Sequence, residues 1–377
     1  MTHPANTADT TKTFSQSARP PIPEYVYVYN HTGDHVEVKF ENVTIETPDG
    51  DVLIDDINFT LKDSERAGFT GPNGGGKSSI FRTMGELTSY GKGRIHITLP
   101  EGKRMMNVSQ EMRKAPTTLA GMMSYRHDPS NYTHEEYETC LDEAGLPQLK
   151  VQLPWNAAKP DTLFPMYKEA LDSEIKKYAE NISRDTAEKI KVALIDALSK
   201  AEIGVPGTIA DYFTPEYQDS LKQRIIKYAQ EKFDNIAEKQ EGKTALFPGH
   251  WGRKIARNAL SGGSNSIQNW LFMGHKMPLS GGQAEQLGFA RLFLQADEVA
   301  LFLLDEVTSA LKEDKADELY TKLFSKAKGA TAIGIIHNTA LLKHYTHHLE
   351  LGTDKRMVLK DLTAPQQSGS KPPQNVM

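Results

Sequence analysis

Cysteine is almost absent from this chain: Cys140 is the only one in 377 residues. That excludes an intrachain disulfide framework and any multi-cysteine zinc or iron–sulfur site, and it points to a reducing cytosol. Long apolar runs are missing as well. The strongest, such as Val299 to Leu304, fall far short of the ~18 to 20 residues that span a bilayer, so the chain is not expected to cross a membrane by itself. Positive charge is not in excess, because 44 Lys+Arg against 49 Asp+Glu leave a net charge of −5. A dedicated nucleic-acid binder would be basic overall, and no nucleic-acid partner is expected. The first 24 residues, rich in Thr, Ser, Ala and Pro with Lys12 and Arg19, lack the apolar core of a secretory signal and read as a disordered tail. Residues 363–377, with their Pro, Gln, Ser and Gly, read the same way. No internal repeat is found.

What is present suits about two domains with a sizeable core. From Val36 to Leu61 β-branched residues alternate on either side of a turn at Pro48-Asp49-Gly50, which predicts a β-rich N-terminal lobe. Arg66 to Thr70 is a short buried-strand candidate that runs into a glycine loop, and Ser78 to Met84 has a helical period. Val299 to Leu304 and Ala332 to Ile336 are continuous apolar runs, as expected for central strands of a parallel sheet covered on both faces. The two ends of the chain therefore predict an α/β core. The middle differs: Leu171, Ile175, Tyr178, Ala179 and Ile182, and then Leu221, Ile225, Tyr228 and Ile236, fall at helical spacing. A mainly α-helical lobe is expected over 122–267. Its punctuation by turns is placed at Gly204, Pro206, Pro215, Pro248 and the Gly-Ser cluster 261–266.

Three segments carry chemistry. Gly71-Pro72-Asn73-Gly74-Gly75-Gly76-Lys77-Ser78 fits G-x-x-x-x-G-K-[ST] between a strand and a helix, the context this phosphate-binding motif requires. Glycines let successive N–H groups point into one concavity at a helix start, Lys77 reaches the terminal phosphates, and the Ser78 hydroxyl can ligate Mg²⁺. A partial copy at Gly242-Lys243-Thr244 has Ala237 at the required upstream glycine position and is discounted. Leu301-Phe-Leu-Leu304-Asp305-Glu306 sets two carboxylates at the carboxyl end of a buried strand, the edge of an α/β sheet where ligands bind. Asp305 would hold the Mg²⁺ shell and Glu306 would orient or deprotonate the attacking water. His337 ends the next apolar strand at the same edge. Finally, Leu279-Ser280-Gly281-Gly282-Gln283 precedes a helical run from Ala284 to Gln295, so Ser280 and the glycine N–H groups can form a second phosphate-binding helix start. A near-copy, Leu260-Ser261-Gly262-Gly263-Ser264, reads as a Ser/Gly loop in turn-rich sequence.

Taken together, GPNGGGKS, LSGGQ, LFLLDE and His337 resemble, in order and spacing, the nucleotide-binding domain of an ATP-binding cassette protein. Within that superfamily the sequence resembles subfamily D, the fatty-acyl transporters of peroxisomes, and bacterial relatives including peptide-uptake transporters. The residues that carry this are Glu41-Asn-Val, Thr47-Pro-Asp-Gly50-Asp-Val-Leu, Gly71 to Arg82, Tyr125-Arg-His-Asp128 and Tyr345-Thr-His-His-Leu349, over about 36–150 and 268–352. The resemblance implies a P-loop NTPase core with a β-rich N-terminal lobe and an enlarged helical lobe. It implies ATP and Mg²⁺ held by Gly71 to Ser79, with Gln110 and His337 joining Glu306 in catalysis. Gln110 resembles the glutamine that touches Mg²⁺ and senses the transmembrane partner, and His337 the histidine that contacts the γ-phosphate. Ser280, Gly281, Gly282 and Gln283 resemble the signature that caps ATP bound by a second copy, which implies a head-to-tail homodimer.

The expected organisation is a tail at 1–24, cassette core at 25–121, helical lobe at 122–267 with an unassigned insertion at about 155–265, core at 268–362, and a tail at 363–377. Three positions depart from the family pattern. No aromatic stands near Thr47 to stack on adenine, the basic residue usual after the signature is missing from Ala284 to Leu287, and Lys312 occupies the place of an interface aspartate. Slow turnover is the expectation. The insertion's apolar positions predict a small core, and Lys176, Lys177, Glu180, Lys189 and Lys191 a solvated face. The functional expectation is a cytoplasmic ATPase, peripheral on a membrane, that energises transport through a separate transmembrane subunit. The alternatives are a soluble cassette ATPase switching a non-membrane target, and a non-hydrolysing ATP-binding scaffold. Lys77, Glu306 and His337 disfavour the scaffold.

Overall fold

The computed structural model describes residues 24–87, 90–109, 117–179, 182–239, 250–271 and 279–363. Gln110, Pro248, the partial motif at 242–244 and both expected tails, apart from Glu24 and Thr363, lie outside the described residues.

Two sheets face each other. The first has the order β1 (Tyr27–Gly33), β5 (Gly91–Pro100), β2 (Glu37–Glu46), β3 (Val52–Lys62). The β2–β3 hairpin follows the expected alternation, and its turn closes with Gly50 at φ +90° and the Gly50 N–H donating to Thr47 O at 3.0 Å. β1 was not anticipated. It is an edge strand parallel to β5, and its apolar side is too mixed with Tyr, Asn and His to show a clear period.

The second sheet runs β10 (Met357–Asp361), β9 (His347–Leu351), β4 (Arg66–Thr70), β8 (Thr331–Ile335), β7 (Val299–Asp305), β6 (Arg104–Val108). All its pairs are parallel except β10 with β9. Every residue of β8 and all of β7 but Asp305 are buried, because both faces are covered. Leu301, Leu303, Ile333 and Ile335 pack toward the first sheet with Phe40, Ile57 and Ile97, together with Ile80 and Phe81 of α1 (Lys77–Met84). Phe302, Leu304 and Ala332 face α2 (Leu119–Met123), α3 (His134–Ala144), α10 (Gly281–Leu294) and α11 (Glu313–Lys326). Each fully buried Leu, Ile or Phe contributes about 1.5–3 kcal/mol of hydrophobic stabilisation.

The middle of the chain builds a separate four-helix bundle. α5 (Pro160–Ala179) packs on α8 (Pro215–Glu238) and α9 (Trp251–Leu271), and α6 (Arg184–Lys200) packs on the same two. Two single-turn helices, α4 (Pro154–Ala157) and α7 (Gly207–Ala210), lie in the same region. Leu171, Ile175, Leu221 and Ile225 point inward with Leu194, Phe233 and Ile255. Lys191 pairs with Glu188 of its own helix α6 at 2.6 Å and bridges to Asp234 of α8 at 2.7 Å. Where the bundle meets the core, Trp155 stacks on His134 with ring centroids 3.9 Å apart and donates its indole N–H to Glu138 at 3.1 Å.

Two of the expected turns are helical instead. The Gly-Ser cluster 261–266, expected as turns, lies inside α9, a helix of 21 residues. Gly263 faces Tyr167, and a Cβ there would lie 2.2 Å from the Tyr167 Cδ1 atom. Glycine is present for close approach between α9 and α5, not for a turn. Pro215, also expected in a turn, opens α8 at its first position behind the Thr214 cap, where a missing N–H costs nothing.

Candidate functional site

β4 ends at Thr70, and the chain turns through Gly71 to Gly76 into α1. Gly74 and Gly76 adopt φ +74° and +91°, left-handed values that glycine takes without steric cost. A Cβ on Gly76 would also come within 2.8 Å of Leu53 Cβ on β3. The loop is thus shaped locally, but it is seated by a strand of the other sheet. Lys77 is buried and donates its ammonium protons to Gly71 O at 3.0 Å and Pro72 O at 2.9 Å. Burial pulls its pKa below the usual 10.5, and the charges of Glu306 and Asp305 oppose that shift.

The carboxyl end of β7 meets this loop. Ser78 donates its hydroxyl proton to Asp305 Oδ1 at 3.1 Å. Burial pushes the Asp305 carboxyl above its usual 3.8; the Ser78 hydrogen bond works against the shift and the neighbouring Glu306 adds to it. Glu306 follows at φ +52°, with its N–H donating to Ile335 O at 3.2 Å. Its carboxylate Oε1 lies 2.6 Å from His337 Nε2, so the two groups at adjacent strand ends form one hydrogen-bonded pair.

Lys77, Ser78, Glu306 and His337 border a cavity of about 360 Å³ lined by Leu53, Asn73 to Ser79, Arg82, Glu306 and His337, whereas Asp305 reaches it only through its hydrogen bond to Ser78. Gly71 and Pro72 contribute their carbonyls to Lys77 in place of lining it. Leu53 and Arg82 end two of the segments that carry the family resemblance, but the sequence assigned neither a role in the site. Arg82 stands four residues after Ser78 on α1, hence on the same helix face, and that spacing was the available signal. No Phe, Tyr or Trp side chain lines the cavity among the described residues, and Leu53 is its apolar wall.

Ser280 to Gln283 are brought elsewhere. Ser280 accepts from the Gln283 N–H at 3.2 Å while Gln283 Oε1 accepts from the Ser280 N–H at 3.0 Å, a reciprocal cap that starts α10. None of the four lines the cavity of its own chain.

An anion fits this cavity, since N–H groups at a helix start and a buried ammonium border it. The donor set also fits Mg²⁺. The Ser78 hydroxyl and Asp305 carboxylate are hard oxygens already in contact, and the half-buried Asp305 charge calls for a cation. Among the described residues no group of three or more His, Cys, Asp or Glu is placed to hold a metal by itself. Mg²⁺ in such sites takes one or two protein oxygens and completes its shell with substrate phosphates and water.

The model of the ABC transporter family matches residues 54–309, more than half of the chain. ATP-binding cassette sub-family D member 3 of Homo sapiens is 24% identical over 326 residues, covering 86% of this chain and 32% of that protein. The oligopeptide transport ATP-binding protein OppD of Salmonella typhimurium is 42% identical over 143 residues, covering 31% of this chain and 43% of that one. A solved structure of a bacterial Atm1-family ABC exporter with ATP bound aligns at 15% identity and a TM-score of 0.46, covering 90% of this chain and 40% of that one. The chain spans about a third of the length of the sub-family D relatives that it matches over most of its own length.

Proposed function

This chain belongs to the ABC transporter family, and on that premise we propose that it is an ATP-hydrolysing subunit that energises transport through a separate transmembrane partner. In this reading two copies close head to tail over two ATP molecules at the cytoplasmic face of a membrane, and hydrolysis reopens them. The cassette core comprises 25–121 and 268–362, and the helical lobe, 122–267 with its insertion, docks the partner.

The observation that carries the reading is the Glu306–His337 pair at the rim of a cavity that Lys77 and the glycine loop also border. Phosphoryl transfer asks a protein chiefly for positioning and charge neutralisation. Gly74, Gly75 and Gly76 present N–H groups to the phosphates, and Lys77 exchanges its two carbonyl acceptors for terminal phosphate oxygens. Glu306 accepts a proton from the attacking water as its oxygen bonds to the γ-phosphorus and the bond to ADP breaks. His337 holds the Glu306 carboxylate in place and reaches the γ-phosphate. Ser78 and Asp305 would hold Mg²⁺, which when bound would supply further neutralisation of phosphate charge. Because Ser280 to Gln283 do not line the cavity of their own chain, they are available to cap nucleotide on a second copy. No helix among the described residues is long and apolar enough to cross a membrane, which is consistent with a separate spanning partner.

The test is affinity purification of Glu306→Gln from native cells with ATP and mild detergent. Stoichiometric recovery of a polytopic membrane protein is expected. Recovery of soluble partners alone would replace transport with the switching of a non-membrane target.

A further inference from the structure

The loop that follows Glu306 is tied to the signature helix by one side chain. Glu285, half-buried in the second turn of α10, accepts the Ser309 hydroxyl proton on Oε1 at 2.8 Å. The Ala310 N–H is shared between its two carboxylate oxygens at 2.9 and 3.0 Å. Charge-assisted bonds of this kind are about twice as strong as neutral ones. Val307 before them is buried in the core and Leu311 after them packs against it, but Ser309 and Ala310 are themselves exposed, and Glu285 is what holds their polar groups. Toward the catalytic end the path is short: the Ser309 N–H donates to Glu306 O at 3.2 Å, closing a turn that leads directly back to Glu306.

Glu306 needs such an anchor. A glutamate at φ +52° sits in a region sparsely populated by residues with a side chain, and it stays there only when the surroundings hold it. On one side its own N–H is fixed to Ile335 O at 3.2 Å. On the other, the turn to Ser309 and Ala310 ends on Glu285.

The geometry points to Glu285 as a positioning residue for hydrolysis. From the helix that begins at Ser280 it fixes the Ser309–Ala310 loop, and through that loop it holds the Glu306 carboxylate where it meets His337. This rests on the proposed ATPase reading and adds a residue that acts only through Glu306. It also places the nucleotide-capping helix and the water-activating carboxylate in one hydrogen-bonded path within a single chain.

The experiment compares Glu285→Ala and Glu285→Gln with wild type in steady-state ATP hydrolysis, and measures ATP affinity with each change placed in Glu306→Gln. Glu285→Ala should lower kcat about 10- to 100-fold, the scale of a misplaced catalytic group. ATP affinity should stay within about twofold, because only a step beyond binding is affected. Glu285→Gln keeps an acceptor oxygen and should recover a large part of kcat. Unchanged kcat in Glu285→Ala, or loss of kcat and affinity in proportion to loss of folded protein, overturns the role of Glu285 alone. A wild-type chain that binds ATP and never hydrolyses it overturns the ATPase reading, and this role with it.

Discussion

Replacing Gly263 by alanine should destabilise the helical bundle, whereas the same change at its neighbour Gly262 should not. In an ordinary helix interior either replacement gains about 1 kcal/mol, since glycine is the poorer helix former. At Gly263 the new Cβ would lie 2.2, 2.5 and 2.8 Å from three atoms of the Tyr167 ring. That ring cannot step aside cheaply, being 1% exposed with its hydroxyl donating to Gly204 O at 2.9 Å. Overpacking costs about 1–3 kcal/mol, and breaking the Tyr167 hydrogen bond adds about 1 kcal/mol. The net effect is a loss of about 1–3 kcal/mol once the helix gain is subtracted. At Gly262 the nearest contact is the Ala170 Cβ atom at 3.3 Å, so that variant should fall between neutral and about 1 kcal/mol more stable. Urea unfolding followed by circular dichroism separates the two, and ATP affinity should be unchanged in both, because the bundle core shares no residue with the cavity. Equal stability of Gly263→Ala and wild type would refute the helical packing argument.

Asp305→Asn should raise metal-free thermal stability while abolishing Mg²⁺-dependent hydrolysis, because it removes a half-buried carboxyl beside Glu306 whose pKa is raised. The sign for wild type follows from linkage: above pH 3.8 the folded chain keeps the Asp305 proton that the unfolded chain has lost, so this group's contribution to stability falls as pH rises through its folded pKa. Asp305→Asn should lose that part of the pH dependence in thermal melts. Lys77→Ala should weaken ATP binding by about 100-fold or more, the equivalent of losing one or two charged hydrogen bonds, and unchanged affinity by fluorescence titration would reject the cavity as the nucleotide site. Cys140 is buried in α3 with its thiol pKa pushed up to about 12 by burial. It should resist alkylation at neutral pH until the chain unfolds, and mass spectrometry along a urea series would show the two events coinciding.

Much of the candidate phosphate site was legible because its determinants are local. Eight consecutive residues from Gly71 to Ser78 contain the positive-φ glycines, the ammonium and the hydroxyl, and no distant partner is needed to recognise them. The apolar runs ending at Asp305 and near His337 announce buried parallel strands in the same way. Composition also showed where the core changes character, since the spacing of Leu171, Ile175, Leu221 and Ile225 is helical whatever they pack against.

The sequence by itself therefore determined the loop, the strand ends and the helix faces, each written within about ten residues. Only the tertiary structure decided which of these ends meet. It brings Ser78 to Asp305, 227 positions away, and Glu306 to His337, because parallel pairing of β4, β8 and β7 aligns their carboxyl ends at one edge. The two LSGG segments show the same division. Ser280 starts a helix because Gln283, three residues on, can return its hydrogen bond. Ser261 has Ser264 at that place, and its glycines lie in mid-helix, where Gly263 gives room to Tyr167. The Ser-x-x-Gln pairing was readable in the sequence, but the approach of Tyr167 was not. A contact between helices depends on how side chains far apart in the chain fill one shared volume, and no local spacing encodes that.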